Sequence, residues 1–248
     1  MHCPYLIVGG GMAANAAVGG IREIDPAGDI TLVGAEPHPP YQRPPLSKDL
    51  WKGKPRESIW YPDNEGRVHI RSNTRATSID AKRKTVTDSN GERYQYDKLL
   101  IATGGRPRRL PAAGEDVIYY RTVDDFDRLH RLCGEGGDFV VVGGGFIGAE
   151  ISAALATNGA HVTLVFPVNG VGGRMFPPAL AGFLNDYYRE QGVSVLNAQH
   201  VEDVESGDGQ FRVRTNTGER LSAKAVVAGL GIAPNTELAE AAGLAVEN

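Results

Sequence analysis

The chain has 248 residues, 41% of them hydrophobic, and a mass of 26.5 kDa. That is enough for one large domain or two small ones with a sizeable core, and it excludes a disordered chain. A net charge of −4 gives no general electrostatic pull on nucleic acid or an anionic membrane, so neither is an expected partner. Two cysteines, Cys3 and Cys133, form neither a disulfide framework nor a C-x-x-C pair, and the six histidines lack metal-ligand spacing; the chain reads as cytoplasmic and metal-free.

In chain order, the apolar start Tyr5–Gly20 is interrupted by glycines and has no Lys or Arg before it, so it does not read as an export signal. It reads instead as a strand over Tyr5–Val8, a glycine loop and a helix, followed by a second buried strand over Asp29–Val33. A proline-rich loop comes next, then alternating strands with a turn at Asn90-Gly91, and an apolar strand running from Lys98 to Gly105. The same order recurs. Phe139–Val142 is a strand, Gly143–Gly148 a glycine loop, His161–Val165 the second strand, Thr217-Gly218 a turn, and Ala225–Gly231 the closing strand. This self-similarity predicts an α/β chain of two Rossmann-like three-layer dinucleotide-binding domains. The Arg- and Pro-rich stretch Arg106–Pro111 separates them, giving 1–109 and 110–248, with a second crossing near the C-terminus.

Glycine makes up 32 of the 248 residues, so a bare Gly-x-Gly arises easily by chance and each loop is judged by its surroundings. Gly9-x-Gly11-x-x-Ala14 follows an apolar strand and opens a helix, and an acid, Glu36, stands 25 residues after Gly11. The first glycine allows a tight turn and the second lets the backbone approach a pyrophosphate. The third small residue lets helix pack on strand, and the acid accepts ribose hydroxyls. Gly143-x-Gly145-x-x-Gly148 repeats the pattern with all three glycines. Its ribose acid is missing: the chain reads Phe166-Pro167-Val168, and the next acid is Asp186. Arg174, in the intervening glycine loop, is either a partner for a 2′-phosphate or a solvated loop residue, so discrimination toward NADH is not assured.

Three further stretches carry a resemblance. They are Tyr41-Gln-Arg43-Pro44-Pro45-Leu46-Ser47-Lys48-Asp-Leu-Trp51, Ala102-Thr103-Gly104-Gly105-x-Pro107-Arg108 and Gly229-x-Gly231-x-x-Pro234-Asn235. With the two glycine loops, they resemble the FAD-dependent pyridine nucleotide reductases, within them the branch of ferredoxin and rubredoxin reductases and apoptosis-inducing factor. The resemblance implies FAD on the first loop, with Glu36 on its ribose, and NAD(P)H on the second. It implies that Arg43 contacts the FAD pyrophosphate or adjoining groups. By the same resemblance, Ala102, Thr103, Gly104, Gly229 and Gly231 are expected to line the cofactors, and Lys48 and Glu150 to sit beside the reacting rings as the catalytic pair. Val168 stands where similar chains carry a ribose-binding Glu.

The activity so implied is hydride transfer from NAD(P)H to FAD, with electrons passed on to a small ferredoxin- or rubredoxin-like carrier. The alternative is a redox-responsive NADH-binding flavoprotein of apoptosis-inducing-factor type with slow turnover. No cysteine pair lies near Lys48, which argues against a disulfide reductase. In the resembled family the chain returns after the second domain with a Gly-Asp motif that completes the FAD site. No Gly-Asp pair follows Gly231 here, so an incomplete FAD domain with exposed sheet edge, prone to self-association, is expected.

Overall fold

The computed structural model describes residues 1–62, 67–111, 113–114 and 116–247. The chain opens with β1 (His2–Val8), α1 (Met12–Ile24) and β2 (Ile30–Val33), then runs through short 3₁₀ turns at Pro44–Ser47, Asp49–Lys52 and Arg56–Ile59. There follow β3 (Val68–Arg71), β4 (Ala76–Asp80), β5 (Thr85–Asp88), β6 (Arg93–Ile101), β7 (Gly105–Pro107) and α2 (Val123–Gly134). The repeat comes next as β8 (Asp138–Val142), α3 (Phe146–Thr157), β9 (His161–Phe166), α4 (Pro178–Glu190) and β10 (Val193–Asn197). The chain ends with β11 (Val201–Gly207), β12 (Gln210–Thr215), β13 (Arg220–Ala223), β14 (Ala225–Ala228), β15 (Ile232–Pro234) and α5 (Glu237–Ala241).

Two compact units result. The first holds Met1–Gln42, Arg56–Arg106 and the chain from Pro234 onward; the second holds Arg43–Pro55 and Pro107–Ala233. Beside the linker and a crossing near the C-terminus, this division has a further interleaved segment, Arg43–Pro55. The segment carrying Lys48 groups with the second unit, and the C-terminal stretch groups with the first.

In the first unit one six-stranded sheet has the order β3-β2-β1-β6-β5-β4. Its first four strands are parallel, and β5 and β4 continue antiparallel from β6. All four residues of β2 are buried, as expected of a strand covered on both faces. Ala14 and Val18 of α1 pack on Ile7, Ile30 and Leu32, and burying each larger apolar side chain there contributes about 1.5–3 kcal/mol. The Asn90-Gly91 turn falls where the sequence places it, with Gly91 between β5 and β6 at a φ of 81°; at the β4–β5 tip, Asp80 accepts from the Lys82 and Arg83 amides.

The second unit divides the same ingredients differently. A parallel sheet has the order β10-β9-β8-β14, and the antiparallel β11-β12-β13 forms a sheet of its own. Val140, Val142, Val165, Val226 and Ala228 of the parallel sheet pack against Phe211, Val213 and Ala223 of the antiparallel one. In both units the register places a glycine loop at the carboxyl end of the central strand. Val8 pairs with Val33 and Val142 with Val165, so Gly9 and Gly143 emerge where nucleotides bind on open parallel sheets.

Candidate functional site: two nucleotide loops and a lysine–glutamate pair

The first loop is built by close backbone approach. Gly9 has a φ of 140°, and a Cβ there would lie 2.1 Å from the Ala102 carbonyl oxygen; only glycine meets both conditions. Gly11 differs: a Cβ there would meet nothing within 4 Å, so its backbone faces open space. Ala14 is fully buried on α1. The expected site residues Gly9 and Ala102 therefore meet directly. Thr103 and Gly104 continue the same turn and are tied to the C-terminal stretch: Thr103 Oγ1 donates to the Asn235 carbonyl at 2.8 Å, Asn235 Nδ2 donates to the Thr103 carbonyl at 2.9 Å, and the Asn235 amide donates to Gly104 at 2.9 Å. Asn235, present in the quoted motif but given no role there, is the residue that closes this turn.

Glu36 follows β2 by three residues and is half-buried. The buried Tyr41 hydroxyl donates to its Oε2 at 2.6 Å, which fixes the carboxylate's orientation. Tyr41 is packed in turn against Trp60 and His38. Sequence reasoning quoted Tyr41 and missed this role, although the five-residue spacing held the signal.

The second loop repeats the first with tighter interlock. Gly143 has a φ of 113°, and its Cβ would lie 2.5 Å from the Gly229 carbonyl oxygen; a Cβ on Gly148 would lie 1.7 Å from the Gly143 carbonyl oxygen. Gly145, like Gly11, has nothing within 4 Å of its Cβ position. Gly143, Gly148 and Gly229 are thus one packed junction, while Gly145 is its open face.

Lys48 and Glu150 stand in this second unit, 102 positions apart in sequence. Lys48 Nζ donates to Glu150 Oε2 at 2.8 Å, and Ser47 Oγ donates to the same oxygen at 2.6 Å. Ser47 had no assigned role, and a contact at that separation leaves no local sequence signal. The loop carrying both is held by buried aromatics. Trp51 Nε1 donates to the Leu46 carbonyl at 2.8 Å, the Tyr120 hydroxyl donates to the same carbonyl, and the Trp51 ring meets Phe126 and His130 edge-on. Burial pushes the Tyr120 phenol well above its ordinary value, so it stays a neutral donor. Burial and then the Glu150 charge push the Tyr188 phenol up as well; its hydroxyl donates to the Ala149 carbonyl beside that carboxylate.

Arg43, at the start of this loop, donates to the Arg121 carbonyl at 3.0 Å. It lines a pocket of about 120 Å³ with Ser47, Tyr120, Ile147, Gly229 and Gly231, which gathers five of the expected or newly found residues around one opening. Arg174 lies apart from these, exposed on the loop after β9. Of the linker arginines, Arg106 pairs with Glu237 at 2.5 Å, Arg108 is bonded to Gly231 and Ile232 carbonyls, and Arg109 lies over the Tyr119 ring; they fasten the crossing segments. Both cysteines are buried, Cys3 on β1 and Cys133 on α2, and burial raises the Cys133 thiol, which disfavours thiolate chemistry there. Among the described residues no helix is long and apolar enough to cross a membrane.

A family model described as pyridine nucleotide-disulphide oxidoreductase matches residues 4–248. The chain belongs to that family. Among curated members of this oxidoreductase family, putidaredoxin reductase of Pseudomonas putida is 37% identical over 98% of this chain and 61% of its own length. Mitochondrial apoptosis-inducing factor 1 of Dictyostelium discoideum is 33% identical over 98% of this chain and 51% of its own. A crystal structure of a covalent putidaredoxin reductase–putidaredoxin complex aligns with a TM-score of 0.92 at 34% identity, covering 98% of this chain and 62% of that one. The chain therefore spans roughly 50–60% of the length of these relatives. The cofactors of the pyridine nucleotide-disulphide oxidoreductases of this kind are FAD and NAD(P)H. The residues present fit them: each glycine loop combines a packed junction with one glycine whose backbone faces open space, the arrangement a pyrophosphate requires.

Proposed function

We propose that this chain carries the nucleotide-binding machinery of an FAD-dependent NAD(P)H reductase that passes electrons to a ferredoxin- or rubredoxin-like carrier protein. The observation that carries the reading is the Lys48–Glu150 ion pair, 2.8 Å long and held in the same unit as the second glycine loop. FAD and NAD(P)H, when bound, supply hydride transfer from nicotinamide to flavin and onward release of electrons.

The chain's own residues bind, orient and polarise. Gly9, Gly11 and Ala14 shape the FAD loop, with Glu36, oriented by Tyr41, for the adenosine ribose and Ala102–Gly104 closing the turn. Gly143, Gly145 and Gly148 shape the NAD(P)H loop, with Gly229 and Gly231 at its edge. Arg43 offers a guanidinium fork to phosphate oxygens or neighbouring acceptors. The Lys48 ammonium supplies positive charge where a reduced ring gathers negative charge, and Glu150, gripped by Ser47 and Lys48, holds that ammonium in place. The similarity to putidaredoxin reductase, whose solved structure is a complex with putidaredoxin, supports a small carrier protein as the acceptor.

The test is anaerobic titration of the flavin-loaded protein with NAD(P)H, followed by turnover with ferricyanide, a ferredoxin and cytochrome c. Fast flavin bleaching and fast carrier reduction are expected. Slow turnover with a long-lived reduced-flavin charge-transfer band would favour the redox-responsive binding protein, a reading motivated by the likeness to apoptosis-inducing factor; flavin-loaded protein whose absorbance does not change on adding NAD(P)H would overturn both.

A further inference from the structure

We infer that the second nucleotide loop selects a 2′-phosphorylated adenine dinucleotide, with Arg174 as the specificity-determining residue. The inference rests on reading Gly143–Gly148 as the NAD(P)H loop and names which of the two nucleotides that loop takes.

Charge comes first. Between Glu150 and Asp186 the chain contains no Asp or Glu, and the one Lys or Arg is Arg174. Asp186 is engaged with Arg189 at 2.9 Å. Arg174 makes no hydrogen bond or ion pair among the described residues, and its side chain is exposed. The segment after β9 therefore presents a positive charge with no carboxylate of its own to neutralise it. A 2′-phosphate is attracted there, and nothing on that segment repels it.

Placement comes second. The segment is docked onto the glycine loop: the Gly172 amide donates to the Gly144 carbonyl at 2.7 Å, and a Cβ on Gly144 would lie 2.7 Å from the buried Phe166 ring. Val168, at the position of the ribose acid, has its Cγ2 3.4 Å from the Cβ position of Gly173. The residue next to Arg174 thus packs on the very side chain that replaces the acid.

Rigidity comes third. The buried Asn185 accepts from the Val171 amide at 3.0 Å and donates to the Asn169 carbonyl at 2.8 Å. The Met175 and Phe176 amides both donate to the Gly172 carbonyl, and a Cβ on Gly170 would overlap the Ala181 backbone. A guanidinium presented from a backbone already fixed in this way loses less freedom on binding than one on a loose loop. Its paired N–H groups match a phosphate's oxygens.

The test uses fragments that probe the adenosine end alone: adenosine 2′,5′-bisphosphate and adenosine 5′-monophosphate, titrated calorimetrically into the purified chain. The bisphosphate is expected to bind at least about tenfold tighter, as one charge-assisted phosphate contact implies, and the gap should narrow as salt is raised. Arg174→Ala should abolish the gap by weakening the bisphosphate alone, and Arg174→Lys should keep part of it; an unchanged melting temperature shows that both variants are folded. Equal affinities in the parent, tighter monophosphate binding, or an Arg174→Ala loss shared equally by both ligands would overturn the inference while leaving the NAD(P)H loop standing. Failure of both ligands to bind would overturn the loop assignment with it.

Discussion

Gly145 and Gly148 belong to one glycine loop, yet their replacement by alanine should fail in different ways. At Gly148 a Cβ would sit 1.7 Å from the Gly143 carbonyl oxygen and 2.8 Å from its carbon. Both obstacles are backbone, so α3 must move off the end of β8, and overpacking of this kind costs about 1–3 kcal/mol. At Gly145 the φ of −83° suits any residue, and nothing lies within 4 Å of the Cβ position. Gly145→Ala should therefore leave stability within about 0.5 kcal/mol of the parent, as for surface substitutions elsewhere. Its added methyl instead occupies the approach path of a pyrophosphate; losing one charge-assisted hydrogen bond, about 1.5–3 kcal/mol, weakens nucleotide binding roughly ten- to hundredfold. Urea unfolding and calorimetric titration with adenine nucleotides on both variants separate the effects. A Gly145→Ala protein that binds nucleotide as the parent does, or one as destabilised as Gly148→Ala, would refute the division of the loop into a packed junction and an open face.

Lys48→Ala and Glu150→Ala should each slow flavin reduction by NAD(P)H in stopped-flow measurements while costing less than about 1 kcal/mol of stability, since a pair this exposed contributes little to folding; unchanged rates at full flavin occupancy in both would discard the pair's role. Val168→Glu should shift the ratio of kcat/KM toward NADH, because a carboxylate there accepts ribose hydroxyls and repels a 2′-phosphate. Burial works against the Asp88 charge, but the Tyr94 hydroxyl and the Asn90, Gly91 and Glu92 amides outweigh it and hold the carboxyl below its usual range. With its folded value depressed, Asp88 adds stability at pH values above the unfolded-state pKa of about 4, and that stability is lost as pH falls through the folded value. Asp88→Asn should flatten this acid limb in pH-dependent urea melts.

The parts of this molecule that were legible in the sequence are those built by local repetition. Apolar runs such as Phe139–Val142 bounded by glycine declare strands, and the two fingerprints declare tight glycine loops between strand and helix, because each depends on residues within a few positions of one another. The partners of those loops are less visible. Gly148 packs on Gly143 within the motif, but Gly229 joins them from the end of the neighbouring strand β14, and only the repeated closing strand pointed to it. The grip of Ser47 on Glu150 and the bonds of Tyr120 with Leu46 and Trp51 span 69 to 103 positions. Such contacts obey no period, so the grouping of Arg43–Pro55 with the second unit could not be read in advance. Nor could the split of the antiparallel strands, joined to the parallel sheet in one unit and separate in the other, since both arrangements use the same alternating pattern.

The interleaving of the units bears on how the molecule can be cut and rebuilt. The chain passes between them at residues 42/43, 55/56, 106/107 and 233/234. A protease that nicks the backbone once therefore liberates neither unit, and a gene spliced at one junction carries over only part of either. A chimera that borrows Pro107–Ala233 alone would leave behind Ser47, Lys48 and the Trp51 anchor, and so arrive with Glu150 stripped of both its donors. Moving the Lys48–Glu150 pair intact between members of such a family calls for two inserts moved together.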